Sequence, residues 1–406
     1  MINKTPFLRA AAALFLAAVS LCASAAKQYD DGASDTEIKL GQTMAYSGPV
    51  SASGQYGKAH AAYFKMVNDR GGINGRKINL ISLDDGYSPP RTVEAARRLV
   101  EREKILAFFQ NLGTAPNNAI QRYVETRKVP NLFVISGDEK WADAVKSPYT
   151  TSWQPSNETE TRVYARHILS SKPDARIAVL YQNDDYGKAA LAGFKDELGA
   201  KVGQIVAEAS YEVSDPTTDS QIVGFKAANA NVLVSITTPK FAAQAIRKVR
   251  DIGWAPTYYL NSLAASVNAV LQPAGLDRAK DIISVAYLKD PSDPRWKDDA
   301  AMKDYHAFMK KYMPDANAYD TMNVFGYSSA QTMESLLRQC GDDLTRANLL
   351  AQAARLHNLQ LPLALPGVVI NTTPRNRTAL RSMQLVRFDG ERWQTFGDVI
   401  SIAGKP

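Results

Sequence analysis

Cysteine and histidine are scarce in this chain. Its 406 residues include two cysteines, Cys22 and Cys340, and four histidines, His60, His167, His306 and His357. There is no C-x-x-C pair and no His-Glu-x-x-His, and the histidines lie scattered without ligand spacing. A zinc centre built on such motifs is excluded, and the histidines read as packing or surface residues. No G-x-G-x-x-G follows a strand-like run, and neither a G-x-x-x-x-G-K-[ST] loop nor a G-x-S-x-G elbow occurs. Nucleotide binding through those loops and a hydrolase built on that elbow lose their support. One-sided charge is missing too: 48 Lys and Arg stand against 41 Asp and Glu, a net +7 spread without a basic run. Nucleic-acid proteins concentrate such charge on a stripe or tail, so no nucleic-acid partner is expected.

Residues 1–26 differ in character from the rest of the chain. Lys4 and Arg9 precede a short apolar run over 10–22, then Ala23-Ser24-Ala25-Ala26, and no acid appears before Asp30. A basic start, a brief apolar stretch and a small-residue exit predict a secretory signal, cleaved near Ala25 or Ala26. The run is shorter than the roughly 20 residues a spanning helix needs. Cleavage removes two bases and no acid, leaving 46 against 41, a net +5. Leu21 before Cys22 departs from the small residue that resembles a lipoprotein signal, so lipid attachment is not expected. Cys340 is then the lone thiol of a mature, soluble protein, and stability must come from core burial.

At this length two domains are the natural expectation. Apolar runs at 38–44, 78–83, 105–109 and 132–135 read as strands. Helical patterns alternate with them, including a face at Ala59, Ala62, Tyr63, Met66 and Val67 that stops at Gly71-Gly72. The alternation restarts after 154, with strands at 177–181, 202–207, 232–236 and 258–260 between helices at 158–169, 187–198, 220–228 and 241–252. This α/β pattern predicts two doubly wound parallel-sheet lobes. The last third predicts helices at 296–312, 319–340 and 345–354, then short strands at 368–370 and 383–388. Such a tail returns the chain to the first lobe and then back, with crossings near 154, 288 and 366. Lobe one becomes 36–153 plus 289–365, and lobe two 154–288 plus 366–405. The adjacent carboxylates Asp84-Asp85 suit a metal or acid–base chemistry, but neighbours on a strand point apart. Turn formation and capping before Pro89-Pro90 is the preferred reading.

Gly48-Pro49, Gly54-x-x-Gly57, the run from Asn68 to Lys77 and Asp84-Asp85 together resemble the amino-terminal lobe of type I periplasmic binding proteins. The subgroup most resembled is the branched-chain amino acid receptors of ABC importers. Further resemblance runs through Ile135-Ser136-Gly137, Asn183 to Gly187, Phe225 to Ala230 and Gly341 to Arg346. It implies two lobes joined by three crossovers, a ligand cleft between them closed by hinge motion, no cofactor and no catalytic step. It also implies transient docking on a permease and ATPase complex of the inner membrane by a monomer in the periplasm. A ligand sensor for a membrane receptor, or an exported α/β hydrolase, are the alternatives.

The resemblance places the ligand contacts on loops after strands. Gly113 and Thr114 offer a hydroxyl and free amides to a carboxylate, and Ser136, Gly137, Asp138 and Trp141 form a second loop. From lobe two come Tyr186, Thr237, Thr238 and Asn261, and Tyr46 and Ser47 complete the set. Amino-acid receptors resemble one another in an acid near the position of Asn261-Ser262, which pairs with the ligand ammonium. Here the place is neutral, with Asp138 or Glu139 as candidate replacements. A carboxylate with an apolar or aromatic body, or an uncharged amide, is the expected ligand class.

Overall fold

The computed structural model describes residues 27–401, so the expected signal segment lies outside the described residues. After β1 (Gln28–Tyr29), the strands β2 (Glu37–Met44), β3 (Lys77–Asp84), β4 (Ala107–Phe109), β5 (Asn131–Val134) and β6 (Thr150–Ser152) form one parallel sheet. Its order is β3-β2-β4-β5-β6. Between these strands lie α1 (Gly54–Asp69), α2 (Pro89–Glu101) and α3 (Thr114–Arg127). The chain then crosses through Trp153 to α4 (Asn157–Ser171), which opens a second alternation. That alternation runs β7 (Ile177–Gln182), α5 (Asp185–Leu198), β8 (Ile205–Tyr211), α6 (Asp219–Ala227), β9 (Val232–Ile236), α7 (Pro239–Asp251), β10 (Thr257–Leu260) and β11 (Ile283–Ala286).

The return is helical, through α8 (Ala300–Tyr312), α9 (Thr321–Cys340), β12 (Asp343–Leu344) and α10 (Arg346–Ala353). A final hairpin, β13 (Ser382–Phe388) and β14 (Trp393–Ser401), completes a seven-stranded sheet ordered β14-β13-β11-β10-β9-β7-β8. This sheet is parallel except for the hairpin, which pairs antiparallel with β11. Of the α1 face foreseen from its spacing, Ala59, Tyr63, Met66 and Val67 are buried and Ala62 is half-buried; the helix packs on α9, with the Tyr56 and Phe325 rings 4.7 Å apart.

Several elements differ from the sequence reading. The strand expected at 202–207 is a 3₁₀ turn, Gly199–Gln204, with Val202 exposed, and pairing begins only at Ile205. Gly199, at φ 51°, ends α5 and delays the strand. No strand forms at 368–370, where Ile370 makes single bridges to Leu359 and Leu380. Residues 367–380, expected in the second lobe, keep Val368, Ile370, Ala379 and Leu380 in the first core. The third passage therefore falls at the approach to β13. Helix α8 starts at Ala300 because Asp299 caps it, accepting the Met302 N–H. His60 is a packing residue, with Gln42 and Ser329 each 2.9 Å from one ring nitrogen.

Candidate ligand-binding site

Beyond the carboxyl end of β4 the chain turns through Gly113 into α3. Gly113 has φ 96°, and a Cβ there would lie 2.5 Å from Tyr87 Cε2, so glycine admits both the backbone and the ring. The first amides of α3, on Thr114 and Ala115, donate to no acceptor among the described residues, and Pro116 has none to donate. Thr114 Oγ1 lies 2.7 Å from Ser136 Oγ, which also accepts the Trp141 Nε1–H at 2.8 Å. An unfilled helix start beside two hydroxyls is a site for an anion.

Other first-unit candidates serve the loops themselves. Trp141 is fully buried behind Ser136, with Lys140 Nζ 4.4 Å over its ring. Asp138 accepts the Lys140 N–H at 3.0 Å. Tyr46 and Ser47 give their amides to Asp84 Oδ1 at 2.9 and 3.1 Å, and the Tyr46 hydroxyl meets Ser82 at 2.7 Å. Asp85 accepts the Tyr87 N–H and the Thr92 hydroxyl. The acidic pair thus holds the turn after β3, as the sequence reading preferred, but it does not cap α2, whose N-cap is Ser88 without a side-chain cap bond.

In the second unit, Asn261 is a spacer rather than a free polar end. Its Oδ1 accepts the Thr237 N–H at 2.9 Å and its Nδ2 donates to the Tyr186 hydroxyl at 2.7 Å. Thr238 N–H donates to the Tyr211 hydroxyl at 2.9 Å. The neighbouring carboxylate, Glu160, is buried and engaged by Ser262 N–H, the Ser262 hydroxyl and the Tyr164 hydroxyl at 2.6, 2.6 and 2.7 Å.

Two neighbouring cavities lie between the units. The first, about 20 Å³, brings together Gly113, Thr114, Ser136 and Gly137 from one side with Tyr186 and Thr238 from the other. The second, about 90 Å³, is walled chiefly by Tyr56, Leu263, Tyr287, Met322, Phe325 and Trp393. Gln154 and Leu263 line both. A water needs roughly 10–15 Å³, so the first holds one small group and the second a larger body. Tyr46, Ser47, Asp138, Trp141, Thr237 and Asn261 line neither, and Glu139 does not replace the missing acid there either.

The seam around these cavities is bonded shut. The Tyr87 hydroxyl donates to Asp184 Oδ2 at 3.1 Å, Asn118 donates to Asp185, and Arg162 pairs with Glu139. At the far side the Ser266 hydroxyl donates to Asp320 at 2.9 Å. Sequence reading missed Tyr87, whose φ of 61° is unusual for a bulky residue and leaves no trace in a periodicity. It also missed Gln154 and Tyr56, although Tyr56 sits inside the Gly54-x-x-Gly57 motif.

The profile of the periplasmic binding protein family matches residues 37–392. This chain belongs to that family. Among relatives, a Leu/Ile/Val-binding protein homolog 7 from Brucella abortus (strain 2308) is 22% identical over 275 residues, covering 66% of this chain and 68% of the relative. This periplasmic binding protein also resembles a branched-chain amino acid ABC transporter protein from Thermus thermophilus with bound valine. That likeness has a TM-score of 0.82 at 18% identity, over 91% of this chain and 98% of that one. A solute-binding protein from R. palustris in complex with 4-hydroxybenzoate aligns with a TM-score of 0.74 at 16% identity, over 90% and 97% of the two chains. The family is one of substrate-binding proteins, and its members are periplasmic.

Proposed function

We propose that this chain is the exported receptor of an ABC importer. It closes on a small organic acid with an apolar or aromatic body and presents that acid unchanged to a permease and ATPase complex. The observation that carries the reading is the difference in polarity between the two neighbouring cavities, which share Gln154 and Leu263. At one end, free amides of α3 and the Thr114 and Ser136 hydroxyls suit a carboxylate, favoured by the positive helix start. Past Gln154 and Leu263, Tyr56, Tyr287, Met322, Phe325 and Trp393 supply aromatic and aliphatic walls for an apolar body, with Ser262, Ser266, Lys289 and Asp290 among them.

The first cavity has no carboxylate in its lining, so an α-ammonium beside the bound carboxylate would be buried there without an opposite charge. An acid lacking that ammonium avoids the penalty. Among the similar structures, one holds an amino acid and one an aromatic acid, so the scaffold accommodates both. Isothermal titration with matched pairs, such as phenylalanine and 3-phenylpropionate or leucine and 4-methylpentanoate, tests the reading. We expect the plain acid to bind tighter by at least about tenfold, the cost of one unpaired buried charge at its lowest. Preference for the amino acid of each pair overturns it.

A further inference from the structure

Gln154 stands where the chain first passes between the units, lines both cavities and is 9% exposed. Its side-chain amide makes no hydrogen bond among the described residues, and Oε1 is shut off from solvent. The second cavity repeats the anomaly. Asp290, in its lining, spends Oδ1 on the Ser292 N–H and hydroxyl at 2.8 and 2.6 Å, while Oδ2 is buried without a partner. Ser262, Ser266 and Lys289 also line this cavity, but they are already bonded to Glu160, Asp320 and Asp299. Buried polar atoms are nearly always paired, so the two orphaned acceptors ask for a donor from outside the protein. Nothing in the first cavity makes the same demand of the apolar part of a ligand.

We propose that Gln154 and Asp290 are specificity-determining residues, selecting an acid whose apolar body carries a hydrogen-bond donor, a hydroxyl or an N–H, over the plain hydrocarbon acid. This rests on the organic-acid reading and narrows it. A plain acid fills the cavity and leaves both acceptors buried and unpaired, whereas a hydroxylated one satisfies at least one of them. Sites built to pair a hydroxyl reject analogues lacking it far more strongly than apolar pockets reject an added one.

The test is calorimetric titration of the full mature chain with benzoate against 4-hydroxybenzoate, and hexanoate against 6-hydroxyhexanoate. The hydroxylated member of at least one pair should bind about tenfold or more tighter. Gln154→Met, which keeps the volume and removes both polar ends, should reduce that preference to about threefold or less while plain-acid affinity holds or rises. Asp290→Asn is the second variant, and it should also reduce the preference; a thermal melt confirms that each variant is folded. Acids that bind with no discrimination, or a preference that survives both variants, overturn this inference alone. Absence of binding by all four acids overturns the organic-acid reading and this inference together.

Discussion

Asp84 and Glu158 carry the same functional group under opposite conditions. Partial burial raises the Asp84 pKa, but the Ser47 hydroxyl and the amides of Gly86, Ser47 and Tyr46 outweigh it and hold the carboxyl at about 2. A depressed folded pKa adds stability above the unfolded value and loses it on acidification. Native protein should therefore lose on the order of 1 kcal/mol through this group as pH falls from about 4 to 2, after allowing for partial exposure. Urea melts should show Asp84→Asn flattening that slope. Glu158 is pushed up to about 8, first by burial and then by Asp138. Its folded form keeps a proton that the unfolded chain has released, so stability falls as pH rises from about 4.5 to 8. The loss is roughly 5 kcal/mol. Glu158→Gln should be the more stable protein at pH 8.5 and near neutral in effect at pH 4, measured by the same melts.

Among the elements, α4 and α5 approach closely enough that a Cβ on Gly193 would lie 2.5 Å from Glu158 Cα, backbone rather than a yielding side chain. Gly193→Ala should cost about 1–3 kcal/mol in denaturant melts. Gly193 gave no warning in the sequence, where it is one small residue on a helix face. What was legible there was set by periodicity and burial: the α1 stripe from Ala59 to Val67, the buried runs of β7 and β9, and the long helix α9. What escaped was set by partners distant in the chain. β6 has three residues and exists because β5 lies beside it, and β14 alternates weakly because one face stays half exposed. The site divided in the same way. Gly113, Thr114, Ser136, Gly137, Tyr186 and Thr238 follow strands in an order that the family resemblance brings to one cleft. Trp141 shares the loop of Ser136 and Asn261 follows β10, and their bonds to Ser136, Thr237 and Tyr186 are announced by no local pattern.

At the scale of the molecule, the proposed closure on a ligand implies that the seam bonds hold the two units together. Tyr87→Phe removes the hydroxyl that reaches Asp184 and leaves that carboxylate bonded to Gln182 and the Gly187 amide. The variant should fold normally, show a larger radius of gyration by X-ray scattering without ligand, and bind about three- to tenfold more weakly. An unchanged radius would mean that this bond does not govern opening.

The hairpin that finishes the seven-stranded sheet has a consequence for biogenesis. Strand β13 covers β11, so until the last twenty or so described residues emerge, β11 presents a bare pairing edge. A polypeptide delivered from its amino terminus cannot complete its second half early, and a prematurely stopped product carries a sticky flank that invites clumping and proteolysis.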